Sequence, residues 1–390
     1  MLVELHLLTS HAPSNLNRDD FGRPKTALFG GTERGRISSQ ALKRAIRKSP
    51  YLAERLGDKL STRSLHIPLM IYNDLKGEYE GDRLERLGIA CEAVGNGLGK
   101  VEEADNDDSG FKLKNKQIVF LTSGEVDRLT AFVREVVESD DKLTKKAAGE
   151  LGKEVGKRTG IDTRPSDGVD VALFGRMTTD DANSFAAVDA SMQVAHPIAT
   201  HTTVTETDYF TAVDDWKADT AGRGSGHIGE LDFNSAVYYK YLSCNLDTLV
   251  ENLGGEGDAE GAKAAALDAL EAVFDAACRV TPSGKQNSFA SHSPADVALL
   301  VVRPQNVPCS LATAFERSVP ASSEGYTAAS AEAMLDRYAR IRRGYELDGD
   351  RAALFSLVDV PNGDPLLAEG VEAAGRLSEL WGKLRDYVAE

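Results

Sequence analysis

The stretch "LVELHLLT" (2–9) alternates weakly and is rich in β-forming residues, which predicts a first strand. Residues 10–37 contain Pro, Asn, Gly and Asp throughout, so we expect a long loop there. Ser38 then offers an N-cap for a helix over about 39–49, which Pro50 helps to end. The chain therefore opens with a strand, a loop and a helix.

Further elements follow in an order that indicates the fold class. Residues 60–160 show helical periodicity and predict a helical insertion. The apolar run "DGVDVALFGRM" (167–177) predicts a strand. Two β-rich runs, 190–205 and 233–246, flank the glycine-rich segment 215–232, which predicts a protruding hairpin.

The last third of the chain completes the pattern. Residues 256–278 form an alanine-rich amphipathic helix, and "DVALLVVRP" (296–304) predicts a buried strand. Later helices are expected near 331–345 and over 364–389. The order of strand, helix, insertion, strand, strand, helix and strand fits an α+β fold with a ferredoxin-like or RRM-like β-α-β-β-α-β core.

Charge is distributed unevenly along the chain. It carries 45 Lys+Arg against 61 Asp+Glu, a net charge of −16, which argues against nucleic acid as a partner. Residues 11–48, however, hold nine basic and three acidic residues, so they carry +6 and the remainder carries −22. A positive island in a negative protein indicates one groove for a polyanion, although a solvated helix face is the simpler interpretation of a charge run.

The predicted helix over 39–49 has two chemically distinct faces. At about 100° per residue, its long polar side chains fall within one arc of roughly 100°, namely Gln40, Lys43, Arg44 and Arg47. The apolar side chains lie opposite, namely Leu42, Ala45 and Ile46. One face can therefore pack on a sheet while the other presents donors to an anionic ligand.

Motifs for catalysis are weak. The segment "GSGHIG" (224–229) matches G-x-G-x-x-G, but loop-like residues precede it and strand-like residues follow it, which argues against a dinucleotide site. His196 and His201 are five residues apart, so on a strand their side chains point to opposite faces. Asp19 and Asp20 could hold a divalent ion for nuclease chemistry, although adjacent acids in a polar loop more often form turns or ion pairs.

The cysteines are scattered, and no pair has C-x-x-C spacing: Cys91, Cys244, Cys278 and Cys309. This pattern is typical of buried thiols in a reducing compartment. The first residues show no signal peptide, and no apolar run is long enough to cross a bilayer. We therefore expect a cytoplasmic protein with no membrane association, no cofactor and no metal ion.

Several collinear motifs carry a family resemblance. They are "HAPSNLNRDDFGRPKTALFGGTERGRISSQALKRAIRKS" (11–49), "GVDVALFGRM", "AHPIATH", "DYFTAVDD", "LDFNSAVYYKY", "NLGG" and "GKQNSFASHSPAD". In these blocks the chain resembles the CasC family, the backbone subunit of the type I-E CRISPR surveillance complex Cascade. The resemblance runs from about residue 3 to residue 360.

The resemblance implies a member of the RAMP superfamily with an RRM-like palm, a helical fingers insertion and a β-hairpin thumb. The expected boundaries are 1–58 and 166–360 for the palm, 59–165 for the fingers, 198–234 for the thumb hairpin within the palm, and 361–390 for a C-terminal helix.

It also implies a non-catalytic role in antiviral defence. Copies of the chain would polymerise along CRISPR RNA, bind its sugar–phosphate backbone without sequence specificity and kink it at regular intervals. The intervening segments would pair with a target DNA strand. Further expected partners are the large subunit, the small subunit, the subunit that binds the 5′ handle and the endoribonuclease that processes the CRISPR RNA.

Site residues follow by similarity. Contacts to the guide backbone are expected from Arg18, Lys25, Ser38, Gln40, Lys43, Arg44, Arg47 and Lys285. Met177 is expected against the kinked bases, while Phe210 and Thr211 match residues that form a wedge at the thumb. Close relatives carry a basic cluster where this chain has Thr32 and Glu33, so no contact is expected at those two positions.

Two other functions remain open at this point. One is a metal-dependent target-RNA endonuclease that uses Asp19 or Asp20, as in type III relatives with a similar palm. The other is a general single-strand-binding protein that acts independently of any guide.

Overall fold

The computed structural model describes residues 1–104, 111–139, 143–144, 146–165, 167–177, 184–212, 227–255, 257–360 and 370–389. The chain divides into two compact units. The first comprises Met1–Ala53, Gln193–Asn245 and Leu270–Glu390, and the second comprises Glu54–Met192 and Leu246–Ala269. The palm, fingers and thumb boundaries drawn from the sequence stay a prediction.

The strands are β1 (Leu2–Ser14), β2 (Thr26–Phe29), β3 (Thr32–Gly35), β4 (Thr62–Ser64), β5 (Val101–Glu103), β6 (Leu113–Asn115), β7 (Val119–Leu121), β8 (Met192–Val194), β9 (Ile198–Ala199), β10 (Glu206–Ala212), β11 (His227–Asn245), β12 (Val297–Arg303), β13 (Arg351–Ser356) and β14 (Val371–Ala373).

The helices are α1 (Ser39–Arg47), α2 (Pro50–Leu56), α3 (Ile67–Leu75), α4 (Asp82–Leu98), α5 (Ser123–Glu138), α6 (Ala147–Thr159), α7 (Val169–Phe174), α8 (Leu246–Asn252), α9 (Ala259–Arg279), α10 (Gln286–Phe289), α11 (Thr327–Gly344) and α12 (Leu377–Ala389). Short 3₁₀ turns cover Gly57–Lys59, Lys76–Glu78 and Leu311–Phe315. Within these described ranges, no helix is both long and apolar enough to cross a membrane.

The main sheet has the strand order β10-β11-β1-β12-β13-β14, and β8 and β9 also pair with β11. Strand β1 is antiparallel to both neighbours, so Leu5 lies opposite Leu242 of β11 and Leu300 of β12. The path β1, α1, β10, β11, α9, β12 through this order is the β-α-β-β-α-β arrangement that the sequence predicted. The α+β class is therefore confirmed, with β13 and β14 as additional strands.

Both faces of the sheet are buried at its centre. On one face, Leu8, Tyr239 and Leu299 pack in a cluster with Phe315 of the 3₁₀ turn and Met334 of α11. All seven residues of β12 are buried. Domains of the RRM class bind RNA bases on an exposed sheet face. That face is covered here, so a nucleic-acid site on this unit lies elsewhere, on loops, on helix surfaces or on the β10–β11 hairpin.

The stretch expected to be a loop over 10–37 contains more β-structure than predicted. Strand β1 continues to Ser14, and β2 and β3 form a hairpin with Phe29 opposite Thr32. Its two turn residues, Gly30 and Gly31, have φ values of 60° and 78°. Two-residue hairpins favour glycine because both turn positions need positive φ. The loop prediction was wrong at this hairpin, for which the Gly-Gly pair was the available signal.

The stretch predicted as a strand over 167–177 is instead the short helix α7. Its residues Val169–Leu173 are all buried. A short apolar run that is buried on every side has no periodicity that separates a helix from a strand. The helix ends at Gly175, whose φ is 77°. Glycine adopts a positive φ at little cost, so it commonly follows the last residue of a helix.

The C-terminal segment is not a single helix over 361–390. Strand β14 pairs in parallel with β13, and α12 begins only at Leu377. Residues 361–369 lie outside the described part of the chain, as do residues 213–226, which include much of the glycine-rich segment 215–232 predicted to form a protruding hairpin.

The second unit is mostly helical, in agreement with the periodicity over 60–160. Its core is formed by buried apolar residues of α3, α4, α5 and α6, such as Leu87, Val94, Val133 and Val155. Short strands pair locally, β4 with β7 and β5 with β6. The helix α5 begins with a capping box in which Thr122 accepts from the Glu125 backbone and the Glu125 side chain accepts from the Thr122 backbone.

Candidate nucleic-acid interface

Helix α1 forms as the sequence predicted. The Ser38 hydroxyl accepts from the backbone N–H of Ala41 at 3.2 Å, which is the N-cap contact. The Ser38 N–H donates in turn to the Asn17 side chain at 2.8 Å and ties the helix start to the preceding loop. Leu42 and Ile46 are fully buried, so the apolar face anchors the helix.

The opposite face of α1 is basic and more open to solvent. Gln40 and Arg44 are exposed, while Lys43 and Arg47 are half-buried. Burial lowers the pKa of the Lys43 ammonium. The first turn contains no acid, and Arg44 and Arg47 lie in the last turn, where cations also interact favourably with the helix dipole.

A large cleft of about 1080 Å³ runs along the side of α1 that carries Ala41, Arg44 and Ala45, so Arg44 is the residue of the basic face that lines it. Four cations and two carboxylates line it: Arg18, Arg44, Lys48, Arg279, Asp19 and Asp20. The cations come from the loop after β1, from α1 and its C-cap, and from the end of α9. Three segments that are far apart in sequence thus surround one cleft with an excess of positive charge, which suits a polyanion.

Arg279 was not predicted as a site residue. Its guanidinium carbon lies 5.5 Å from the ring centroid of Tyr51, and its Nε donates to Asp275 at 3.0 Å. The ion pair with Asp275 raises the pKa of Arg279. The sequence shows only that Arg279 is a cation at the end of a predicted helix. It does not show that this helix end lies beside the loop that carries Arg18.

A second cavity of about 610 Å³ shares Arg18 with the cleft and is also lined by Phe21, Arg23, Asp232 and Lys285. Here the structure brings Arg18 and Lys285, two of the residues expected at the guide backbone, to one cavity. The close approach of their two loops requires Gly284, because a Cβ there would lie 2.3 Å from the Leu16 carbonyl oxygen.

The backbone of Lys285 has φ 50°, in the left-handed region that residues other than glycine rarely occupy. Such conformations persist where the surrounding structure fixes them, and they concentrate at functional sites.

The loop that carries Arg18 is tightly hydrogen-bonded. Asp19 Oδ1 accepts from the backbone N–H groups of Phe21 and Arg23, each at 2.9 Å. The Asp19 N–H donates to the Arg23 carbonyl at 2.9 Å, and Asn15 Nδ2 donates to the Gly22 carbonyl at 2.9 Å. Asp19 therefore has the turn-forming role that adjacent acids in loops usually have.

The remaining predicted contacts line neither cavity: Lys25, Ser38, Gln40, Lys43 and Arg47. Lys25 instead belongs to a separate cationic group with Arg36. The Arg36 N–H donates to the Lys25 carbonyl at 2.8 Å, and Arg36 Nη1 lies 2.8 Å from His196 Nδ1. Burial and then the Arg36 and Lys25 charges lower the pKa of His196. Arg36 is one of the nine basic residues over 11–48, but sequence reasoning assigned it no role.

Arg34, another of the basic residues over 11–48, is fully buried. Its guanidinium donates to Thr32 Oγ1 at 2.8 Å and to the carbonyls of Ala199 and Phe315 at 3.2 and 3.0 Å. Its positive charge is therefore used inside the fold and not on the surface. Glu33, in contrast, is exposed.

The β10–β11 hairpin carries the two expected thumb residues. Phe210 lies opposite Gly229 and Thr211 opposite Ile228. Phe210 is 46% exposed, and Thr211 is also exposed. Both side chains are on a two-stranded arm that the structure describes as far as Ala212 and from His227 onward. Asp232 ties this arm to the Arg18 loop through Arg23 Nε at 3.1 Å and through its carbonyl, which accepts from Asn15 at 2.8 Å.

Met177 lies in the second unit and is 82% exposed, so it is not a core methionine. The preceding residue, Arg176, is buried. It donates to Glu125 Oε2 at 2.6 Å and to the Ala186 carbonyl at 2.8 Å, and its backbone pairs with Val188. The buried side chain fixes the backbone at the point where the next residue emerges into solvent.

The metal-dependent reading has little structural support. Among the residues that the structure describes, no group of three or more His, Cys, Asp and Glu side chains is placed to hold a metal ion. Asp20 is exposed, and Asp19 is engaged by backbone N–H groups as described above.

Comparisons with known proteins point in one direction. A chain from a structure described as "CRISPR RNA-guided surveillance complex, pre-nicking" is 29% identical, with a TM-score of 0.80 and 100% coverage of both chains. A chain from a "CRISPR RNA-guided surveillance complex" is 25% identical, with a TM-score of 0.68 and the same full coverage. No curated protein matches the chain.

The family model described as CT1975-like protein matches residues 3–381. The match spans both compact units, and the similar structures align over their whole length. This chain therefore belongs to the CT1975-like protein family.

Proposed function

We propose that this chain is a guide-RNA-binding subunit of a CRISPR RNA-guided surveillance complex. The observation that carries the proposal is the cleft beside α1, where Arg18, Arg44 and Arg279 meet on an otherwise acidic chain. The full-length similarity to chains of such complexes supports the same assignment.

The chemistry of the cleft suits a ligand of any sequence. Arginine and lysine bind phosphate oxygens, which carry no sequence information, and leave base edges open for pairing. A subunit that accepts every guide needs contacts of this kind. Lys25 and Arg36 form a second cationic group outside the cleft, and Gln40 is exposed on α1.

In finer detail, the chain is a non-catalytic backbone subunit of a type I-E complex. Copies assemble as a filament along one CRISPR RNA, beside the large, small, 5′-handle-binding and RNA-processing subunits. The thumb hairpin kinks the guide at regular intervals through Phe210 and Thr211, and Met177 packs against the kinked bases. A flexible apolar side chain such as that of Met177 can contact any base without reading it.

The test is purification of the complex after co-expression of the chain with its neighbouring subunits and a CRISPR array. We expect an RNA of one discrete guide length and several copies of this chain in native mass spectrometry. RNA of random length would instead favour a general single-strand-binding protein.

A separate experiment tests the endonuclease alternative. The purified complex is incubated with complementary RNA and Mg²⁺, with an Asp19→Asn/Asp20→Asn complex as the control. We expect the target RNA to remain intact in both. Cleavage at regular spacing that the double variant abolishes would refute the non-catalytic role.

A further inference from the structure

Phe21 is the most exposed large apolar side chain in the described part of the chain, at 89%. A phenylalanine in water loses the favourable free energy of burial that its ring would gain elsewhere. It lies in the same loop as Arg18 and Arg23 and lines the second cavity with Lys285. An isolated aromatic ring among cations is unlike a protein-docking patch, which is a contiguous apolar surface.

The loop that holds Phe21 is built to keep the ring in solvent. The backbone N–H groups of Phe21 and Arg23, which flank Gly22, both donate to Asp19 Oδ1. Asn15, which is fully buried, donates to both the Gly22 and the Asp232 carbonyls. The backbone on both sides of Phe21 is thus fixed before any ligand arrives, which reduces the entropy cost of binding.

The cavity beside the ring has a suitable size and charge. Its volume of about 610 Å³ lies within the range of roughly 300–1,000 Å³ that is usual for small-ligand sites. Two carboxylates also line it, those of Glu230 and Asp232. Asp232 is occupied by Arg23 at 3.1 Å and by the Thr207 hydroxyl at 2.6 Å, so its charge is partly compensated within the protein.

An aromatic face next to cationic side chains matches one nucleotide of a single strand. A base of any identity stacks on the ring, because every base has a π-face, while cations contact the phosphate. We propose that Phe21 is a stacking platform for one base of the guide RNA, with the adjoining phosphate on Arg18 and Lys285. This inference rests on the proposed function, since it assumes that the bound strand is the guide.

The variants Phe21→Ala and Phe21→Trp test the platform, with Leu28→Ala as the matched control. Leu28 is 80% exposed on the β2–β3 hairpin and lines neither cavity. Because Phe21 is exposed, thermal unfolding of Phe21→Ala should match that of the wild type. Guide affinity should fall about tenfold in Phe21→Ala, recover in Phe21→Trp and stay unchanged in Leu28→Ala. The slope of affinity against salt should not change, because no phosphate contact is lost.

A second measurement identifies the partner of the ring. Guides with one abasic nucleotide, placed at each position in turn, are bound to wild type and to Phe21→Ala. At the stacked positions the abasic guide should weaken wild-type binding and leave Phe21→Ala unaffected. Equal losses in both proteins at every position would overturn the stacking role.

The outcomes separate the two proposals. A wild-type chain that retains no guide contradicts the proposed function itself. A wild-type chain that retains the guide while Phe21→Ala binds it equally well overturns only the inference. A Phe21→Ala protein that binds RNA normally but fails to join other copies would place the ring against a second copy and would also overturn it.

Discussion

The ring of Phe210 lies over Gly229 on the neighbouring strand of the β10–β11 hairpin. A Cβ added at Gly229 would lie 2.3 Å from Phe210 Cζ, so the ring occupies the space that any other residue would fill. A cross-strand aromatic placed on a glycine is held against the backbone and compensates for the missing side chain. Gly229 therefore determines the position of the Phe210 ring, which is one of the two side chains expected to form the wedge.

The first prediction follows from this pair. Gly229→Ala should displace the Phe210 ring with little effect on the free energy of unfolding, because a side chain can move where a backbone cannot. It should then reproduce the effect of Phe210→Ala, which is loss of the regular interruptions in a hydroxyl-radical footprint of the guide. Tyr209→Ala serves as the control, since successive residues of a strand face opposite sides. A wild-type footprint in Gly229→Ala would show that the ring position is unimportant.

The second prediction concerns the charge of the cleft. Arg44→Ala should weaken guide binding and lower the slope of log affinity against log salt concentration by about 0.7, the value for one phosphate contact to a single strand. Arg340→Ala is the matched control, because Arg340 is exposed, pairs with Asp336 and lines neither cavity. Titrations of RNA at several salt concentrations measure both. An unchanged slope in Arg44→Ala would exclude contact between that side chain and the backbone.

The third prediction separates a turn from a metal ligand at Asp19. Asp19→Ala removes an acceptor for the N–H groups of Phe21 and Arg23 and should loosen the loop, with a several-fold loss of RNA affinity. Asp19→Asn keeps an acceptor oxygen and should bind RNA almost as well as the wild type. RNA titrations of both variants decide the point. Equal losses in the two variants would mean that the charge, and not the hydrogen bonding, is needed.

The fourth prediction concerns the buried ion pair between Arg176 and Glu125, both almost fully buried. Arg176→Met leaves the Glu125 carboxylate without its cation and should cost about 3–5 kcal/mol in the free energy of unfolding. Arg176→Met with Glu125→Gln should recover much of that loss, because glutamine carries no charge and still accepts from the Thr122 N–H of the capping box. Chemical denaturation measures the change. A double variant no more stable than the single one would indicate that the arginine acts through its hydrogen bonds to backbone carbonyls.

The fifth prediction concerns acid stability. Burial lowers the pKa of His6 to about 3, from about 6.5 in the unfolded chain. The Tyr239 hydroxyl accepts from the Leu311 N–H and lies 2.9 Å from His6 Nδ1, where it can donate to a neutral ring. Between pH 6.5 and 3 the unfolded chain binds a proton at His6 that the folded chain does not. The free energy of unfolding is therefore highest above pH 6.5 and falls as the pH drops toward 3, by about 2 kcal/mol at pH 5.

The measurement is the unfolding midpoint as a function of pH for wild type and His6→Gln. Glutamine offers an acceptor but does not titrate, so the midpoint of His6→Gln should fall less steeply between pH 6.5 and 5. His292→Gln, at an exposed histidine, should follow the wild type. A parallel decline in wild type and His6→Gln would assign the acid sensitivity to other groups.

Local signals in the sequence predicted the local structure well. The Ser38 cap and the spacing of Leu42 and Ile46 predicted α1 and the side that it buries, because both depend only on neighbours within a few residues. The same reasoning failed at 167–177, where burial on all sides removes the periodicity.

Contacts between segments that are distant in sequence were harder to predict. Arg18 and Lys285 could be connected only through the family resemblance, since they are 267 positions apart in the sequence and no pattern links the two loops. Arg279 and Phe21 were missed for the same reason, because each gains its importance from a loop that packs beside it. Composition did locate the basic region, but it also counted Arg34, whose charge is buried.

Covering the sheet with α11 and the 3₁₀ turn has an evolutionary consequence. The residues that hold the sheet together, such as Leu8 and Phe315, are separate from the loop residues that line the cavities, such as Arg18 and Lys285. Substitutions in the loops can then accumulate without a cost in core packing. A chain organised in this way can keep its fold at 25–29% identity, the level at which it matches the similar structures, while the residues that line the cavities change.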